Sequence, residues 1–308
     1  MKYFHFFLTF MGILVVFGCK QPQQPQIDPL DALYSRATIA ANIEYRNIDS
    51  ISLRLTVFVP SERLGEPPWV RYSDQKKPTL LFFHGGGWRD GEKESRVLGL
   101  MPYVSKGWVV VTADYRLLRQ APLPEIIGDC RTALNWVYAN ADRFKIDTAK
   151  IVVSGESAGG HLALMTALAK NDSLYKSDAP LLNGKTVAAV INWFGITDVP
   201  EFVQDWSDKE LLCADRDTTR LKEVYALTSP VNFIDENSPP VLTIHGTDDP
   251  IVHFLQAEAL EKKLKENNIS CELLAVQGKK HGNFTAGEMT NNFDAIWKFL
   301  SNTGIKNN

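Results

Sequence analysis

"VVSGESAGGHL", residues 152–162, admits two incompatible readings. Gly155 and Gly160 have the spacing of the paired glycines in a phosphate-cradling loop, G-x-x-x-x-G. Gly155, Ser157 and Gly159 spell G-x-S-x-G, the sharp strand-to-helix turn that presents a nucleophilic serine. The next residues decide between them. A phosphate loop needs Lys and then Ser or Thr after its second glycine, to meet the phosphates and a magnesium ion. His161 and Leu162 stand there, and neither can do that work. The serine reading has its context: the apolar run "KIVVSG" before it and the helix-spaced "AGGHLALMTALAK" after it. Ser157 is therefore the candidate nucleophile. Gly155 and Gly159 would let strand and helix approach closely around its strained turn. Ser154 lies inside the strand and does not compete.

Working outward, the pattern repeats. "TLLFF", "WVVVTA", "VAAVINWF" and "PVLTIHG" are continuous apolar runs, as in strands buried on both faces. "CELLAVQG" reads as one more strand, and "SISLRLTVFVP" alternates like a half-buried one. "IIGDCRTALNWVYANA", "HFLQAEALEKKLKENN" and "MTNNFDAIWKFLSN" carry helical spacing. "ALYSRATIAANIEYR" stays ambiguous, and "SERLGEPPWVRYSDQKKP" looks like a surface loop. Alternating strands and helices predict an α/β fold, a mostly parallel sheet with helices on both faces. Residues 198–228 break the rhythm, are rich in charge and carry Trp206. We read them as an insertion over the strand ends, a lid.

Open α/β sheets bind ligands at the carboxyl ends of their strands. At those ends stand His84-Gly85-Gly86-Gly87-Trp88, then Ser157, then His245-Gly246-Thr247-Asp248-Asp249, then His281. A bare backbone loop, a serine, an acid pair and a histidine are the parts of nucleophilic acyl transfer. A tetrahedral oxyanion needs preorganised donors, and the N–H groups of Gly86 and Gly87 are candidates. Ala158, at the positive end of the following helix, is the third. His84 is expected to tie the glycine loop down. Trp88 has two readings, a floor for substrate or a packing residue, and is carried forward as a substrate contact.

Six histidines compete for the role of base. His5 lies in the N-terminal apolar segment and His161 one turn behind Ser157, where it is expected to pack in the core. His245 begins the turn of the acid loop, and His253 a helix after it. His281, in "KKHGNF", follows the last strand and is the candidate base. Asp248 and Asp249 are tied as the acid that orients its ring.

The 308-residue chain is 44% apolar, enough for one large core. Its net charge of -3, without a basic stripe, argues against nucleic acid as a partner. The start differs from the rest. "FFLTFMGILVVF" follows Lys2 and has the length of an export signal rather than of a comfortable span. Gly18 and Cys19 then resemble a bacterial lipobox, whose cysteine is lipidated. The expected organisation is a lipoprotein signal over residues 1–19, a proline-rich tether over 20–30 and one domain over 31–308. Such a chain belongs to the cell envelope, with its lipid as the sole membrane attachment. Cys130, Cys213 and Cys271 suit neither a zinc site nor a disulfide framework.

Together "HGGGW", "ADYRL", "GESAGGHLA", "HGTDDPIV" and "HGNF" resemble the α/β-hydrolase fold. They look most like its esterase and lipase branch, with hormone-sensitive-lipase-like and feruloyl- or acetylxylan-esterase-like members. The resemblance spans residues 43–300. It implies an eight-stranded sheet and a serine carboxylic-ester hydrolase that needs no cofactor and no metal. It places the acid at Asp249, with Val252 closing H-G-x-x-D-x-x-V, and the oxyanion donors at Gly86, Gly87 and Ala158. "DYRL" at Asp114 is a structural signature in that branch. The substrates it implies are small-molecule or carbohydrate esters. Peptidases of the prolyl-oligopeptidase type share the fold and the Ser, Asp, His order, and are one alternative. A non-catalytic binding lipoprotein on the same scaffold is another.

Overall fold

The computed structural model describes residues 37–60, 62–63, 70–71, 75–169, 175, 187–204, 206–207 and 209–306. The expected signal, Cys19 and tether lie outside them. Among the described residues no helix is long and apolar enough to cross a membrane.

Eight strands form one open sheet. They are β1 (Ala37–Ile48), β2 (Ile51–Pro60), β3 (Lys77–Phe83), β4 (Val109–Ala113), β5 (Ile146–Glu156), β6 (Ala189–Trp193), β7 (Val241–Gly246) and β8 (Cys271–Val276). Their order is β1-β2-β4-β3-β5-β6-β7-β8. The pairs β1–β2 and β2–β4 are antiparallel, and the pairings from β4 through to β8 are parallel. β1 was ambiguous because it is an edge strand with two register shifts and much exposed surface. Its side chains are sorted by neither period.

The central strands alternate between two cores. Leu81, Phe83, Val111 and Val153 face one side, and Leu80, Phe82, Val110 and Val152 the other. The first side is covered by α2 (Leu123–Ala139), α3 (Ala158–Leu168) and α5 (Leu255–Glu266). The second is covered by α1 (Val97–Ser105) and α6 (Ala286–Asn302). Helix α1 has no counterpart in the sequence reading. It holds Gly99 and Pro102, and both weaken a helical signal. What holds it is burial of Leu100, Tyr103 and Val104 against the sheet.

The segment expected as a lid contains a one-turn helix (Val199–Phe202), 3₁₀ turns at Lys209–Leu212, Ala214–Arg216 and Thr218–Arg220, and α4 (Leu221–Thr228). Trp206 stands in the first connection and meets the cavity described next.

Candidate active site

Ser157 joins β5 to α3 with φ 53° and ψ −121°, a backbone state that non-glycine residues rarely adopt. Such strain costs on the order of 1–3 kcal/mol and persists only where the surroundings enforce it. They do so through backbone contact. A Cβ at Gly155 would collide with the Gly159 carbonyl, and one at Gly159 with the carbonyls of Phe83 and His84 on the next strand end. The Ser157 N–H donates to the Trp193 carbonyl at 2.9 Å. Gly160 has its own reason to be glycine: a Cβ there would lie 2.6 Å from Asn192 Oδ1 and 2.9 Å from the Gly195 Cα. Its spacing from Gly155 reflects close packing of α3 on the end of β6.

The glycine loop after β3 turns through left-handed angles at Gly86 (φ 122°), Gly87 (φ 61°) and Trp88 (φ 57°). The Gly86 carbonyl accepts from the N–H groups of Arg89 and Asp90, both at 3.1 Å. The "DYRL" segment holds this loop from behind. The Tyr115 hydroxyl donates to the His84 carbonyl at 2.7 Å, and its ring stacks on the His84 ring with centroids 4.2 Å apart. Asp114 accepts from the Lys93 N–H at 2.9 Å, and the Leu118 N–H donates to the Trp88 carbonyl at 2.8 Å. Arg116 is fixed in turn by buried Asp129, which also takes a hydrogen bond from Arg46. The N–H groups of Gly86, Gly87 and Ala158 donate to no protein acceptor among the described residues. They are free for a ligand oxygen.

Trp88 requires a correction. Its ring is fully buried rather than open to substrate. Its indole N–H donates to His161 Nδ1 at 3.2 Å, and its ring meets Phe202 edge to face and Trp206 at a tilt. Phe202 and Trp206, from the segment 198–228, reach the cavity instead, together with Phe194. His161 is in the core as expected. Its Nε2 donates to the Thr228 carbonyl at 2.7 Å, and burial lowers its pKa to about 4.

The acid loop follows β7 and docks on the loop after β8. The Asp248 N–H donates to the Lys279 carbonyl at 3.0 Å and the Thr247 N–H to the Val276 carbonyl at 3.1 Å. Asp248 faces solvent, whereas Asp249 is buried. His281 Nδ1 lies 2.7 Å from Asp249 Oδ2. Asp249 Oδ1 accepts from the N–H groups of Ile251 at 2.9 Å and Val252 at 3.0 Å. Burial alone would raise the pKa of this carboxyl. Hydrogen bonds from His245, His281 and Ile251 outweigh that and hold it well below the usual carboxylate range. A carboxylate only accepts, so His281 Nδ1 carries the proton of this bond.

His245 was read as a turn residue, and this too is corrected. It lies within β7 and is fully buried. Its Nε2 is 2.8 Å from the Val252 carbonyl and 3.3 Å from Asp249 Oδ2. The apolar run "PVLTIHG" contained that strand, but nothing in it showed that the ring turns back toward the acid. Phe194 was also missed. It has φ 38°, and its ring meets His281 edge to face at 4.6 Å.

Ser157, His281, Gly86, Gly87, Phe202 and Trp206 open into one cavity of about 630 Å³. Ser157 and His281 make no hydrogen bond to each other. Among the described residues no cluster could hold a metal ion. The arrangement offers a hydroxyl on a strained turn, an imidazole oriented by a carboxylate, and unpaired N–H donors beside both.

This fold and strand order are those of the α/β-hydrolases. Residues 70–264, more than half of the chain, match the model of the BD-FAE family, and the chain belongs to that family. It is 32% identical over 212 residues to esterase LipC of Mycobacterium tuberculosis, covering 67% of this chain and 53% of that one. It therefore spans about half the length of that relative. It is 25% identical over 283 residues to the acetyl esterase of Salmonella dublin, covering 84% and 83%. Esterase Est2 of Thermogutta terrifontis superposes with a TM-score of 0.69 at 26% identity, covering 87% of this chain and 93% of that one.

Proposed function

We propose that the chain is a serine hydrolase of carboxylic esters. Ser157 Oγ attacks the acyl carbonyl while His281 Nε2 takes its proton. The oxyanion is held by the N–H groups of Gly86, Gly87 and Ala158. His281 then returns the proton to the departing alkoxide, leaving an acyl group on Ser157. Water, activated by the same ring, releases the acid. Asp249 keeps the ring oriented and stabilises it while it carries charge. The observation that carries this reading is the convergence of Gly86, Gly87, Ser157 and His281, from separate strand ends, on one cavity, with Asp249 bonded to His281 behind it. The names of LipC, the acetyl esterase and Est2 support the reaction class.

The alcohol side of the substrate is a carbohydrate in this reading. The large cavity and the aromatic rings of Phe202 and Trp206 suit stacking on a sugar face. Lipid attachment at Cys19 would place the enzyme in the bacterial envelope, beside acylated polysaccharide. Palmitate incorporation that is equal in wild type and Cys19→Ala would remove that placement.

The test of the reaction is direct. Wild type is expected to turn over p-nitrophenyl acetate and to gain one phosphoryl adduct at Ser157 on treatment with paraoxon. Ser157→Ala should do neither. Turnover of aminoacyl-nitroanilides without ester turnover would replace the esterase with a peptidase. Neither turnover nor labelling would leave a binding protein.

A further inference from the structure

We propose that a second, apolar cavity between α1 and α6 is the acyl-chain subsite, screened from Ser157 by the Arg96–Glu156 ion pair. This rests on Ser157 being the nucleophile. The cavity measures about 100 Å³ and is walled by Leu100, Tyr103, Trp193, Phe284, Met289 and Phe293. Arg96, Glu156, Phe194 and Gly282 line both this cavity and the one that holds Ser157 and His281. The two spaces therefore share one partition.

The composition of the partition suggests that it opens. Glu156 directly precedes Ser157, and its side chain lies over Gly85 of the glycine loop, where a Cβ would come within 3.2 Å of its Cγ. Arg96 Nε meets Glu156 Oε1 at 2.6 Å. The Arg96 side chain is 54% exposed, so it can swing into solvent and stay hydrated. The Glu156 side chain, 17% exposed, stays on the wall between the two spaces, so Arg96 is the half of the pair that moves. The other half of the partition is fixed. A Cβ at Gly282 would sit 2.9 Å from Phe194 Cζ, and the Phe194 ring is packed on His281.

The two spaces divide the ester by chemistry. The large cavity combines charged and aromatic groups and suits the alcohol. Beyond its partition the smaller one is lined by apolar side chains and Tyr103, and has room for a chain of a few methylene groups. Each methylene buried there contributes on the order of 0.8 kcal/mol, about fourfold in affinity. The occupant is therefore a saturated acyl chain longer than acetyl, up to about hexanoyl.

Two substitutions push in opposite directions. Gly99 lines the cavity from α1, and a Cβ there would meet nothing within 4 Å. Gly99→Leu should fill the space and lower the hexanoate-to-acetate ratio of kcat/KM, on p-nitrophenyl esters, at least tenfold. Met289→Ala should widen it and raise the octanoate-to-hexanoate ratio about threefold. Should Gly99→Leu fail to fold, Met289→Ala decides alone. Ratios that stay within twofold of wild type would overturn the subsite and leave the esterase intact. A wild type that turns over none of these esters and takes no paraoxon label would overturn both.

Discussion

The indole N–H of Trp88 donates to His161 Nδ1 at 3.2 Å, with both rings fully buried. This bond joins the glycine loop that bears Gly86 and Gly87 to the helix that begins at Ala158. The two sources of the proposed oxyanion donors are thus fastened to each other in the core, behind the cavity. Trp88→Phe keeps an aromatic ring but leaves His161 Nδ1 without its donor. Orphaning a buried acceptor costs about 1–3 kcal/mol. The urea midpoint should fall accordingly, and kcat for p-nitrophenyl acetate should fall several-fold as the loop loosens. An unchanged midpoint would show that the bond contributes nothing.

His161 also predicts how stability varies with pH. Burial lowers its pKa to about 4 in the folded chain, against about 6.5 unfolded. Between those values the unfolded chain binds a proton that the folded chain refuses. Stability should therefore fall as pH drops from 6.5 to 4, by about 3 kcal/mol in total, and flatten below. His84, whose pKa burial also lowers, acts in the same sense. Asp249 is depressed in the folded state, so its contribution is present above the ordinary carboxylate pKa and is lost only in stronger acid. Urea titrations at pH 7, 5.5 and 4.5 should show a shallower loss for His161→Gln than for wild type. Parallel curves would contradict the assignment.

The parts of this fold that the sequence disclosed are those where chemistry and period coincide. Strands buried on both faces must be continuously apolar, so β3 to β7 were plain in the text. Ser157 was legible because the glycines beside it answer a steric demand that no other residue meets. The details that failed are set by three-dimensional direction. Trp88 and Trp206 are both aromatic residues near strand ends, yet one ring turns inward and the other reaches the cavity. His245 looked like a turn residue because its role depends on a ring crossing back to Asp249. Helix α1 is held by tertiary burial that its local sequence does not advertise.

His245 and His281 approach the same oxygen, Asp249 Oδ2, at 3.3 and 2.7 Å. In the proposed mechanism His245 is a positioning residue: its Nε2–H, 2.8 Å from the Val252 carbonyl, braces the turn whose Ile251 and Val252 N–H groups hold the Asp249 carboxylate. His245→Leu deletes that donor and should lower kcat about tenfold with little change in KM. His245→Gln places an amide N–H near the lost Nε2 and should recover most of the loss. The resonance of the proton in the His281–Asp249 bond should broaden in the Leu variant and return with Gln. Equal losses in both variants, with that proton unaltered, would reduce His245 to a packing residue.

Two helical glycines make the steric argument at Ser157 testable against an internal control. Gly159 and Gly287 both lie in the first turn of a helix, α3 and α6. A Cβ at Gly287 meets nothing within 4 Å, so Gly287→Ala should stabilise the fold by up to about 1 kcal/mol through helix propensity alone. A Cβ at Gly159 meets the carbonyls of Phe83 and His84. Those are backbone atoms that no rotamer change can move. Gly159→Ala must push α3 away from β3, and with it Ser157 away from the glycine loop. Thermal unfolding should show a large loss of stability for Gly159→Ala, and any folded fraction should react slowly with paraoxon. If both alanines raise the melting temperature alike, close backbone approach is not what Gly159 provides.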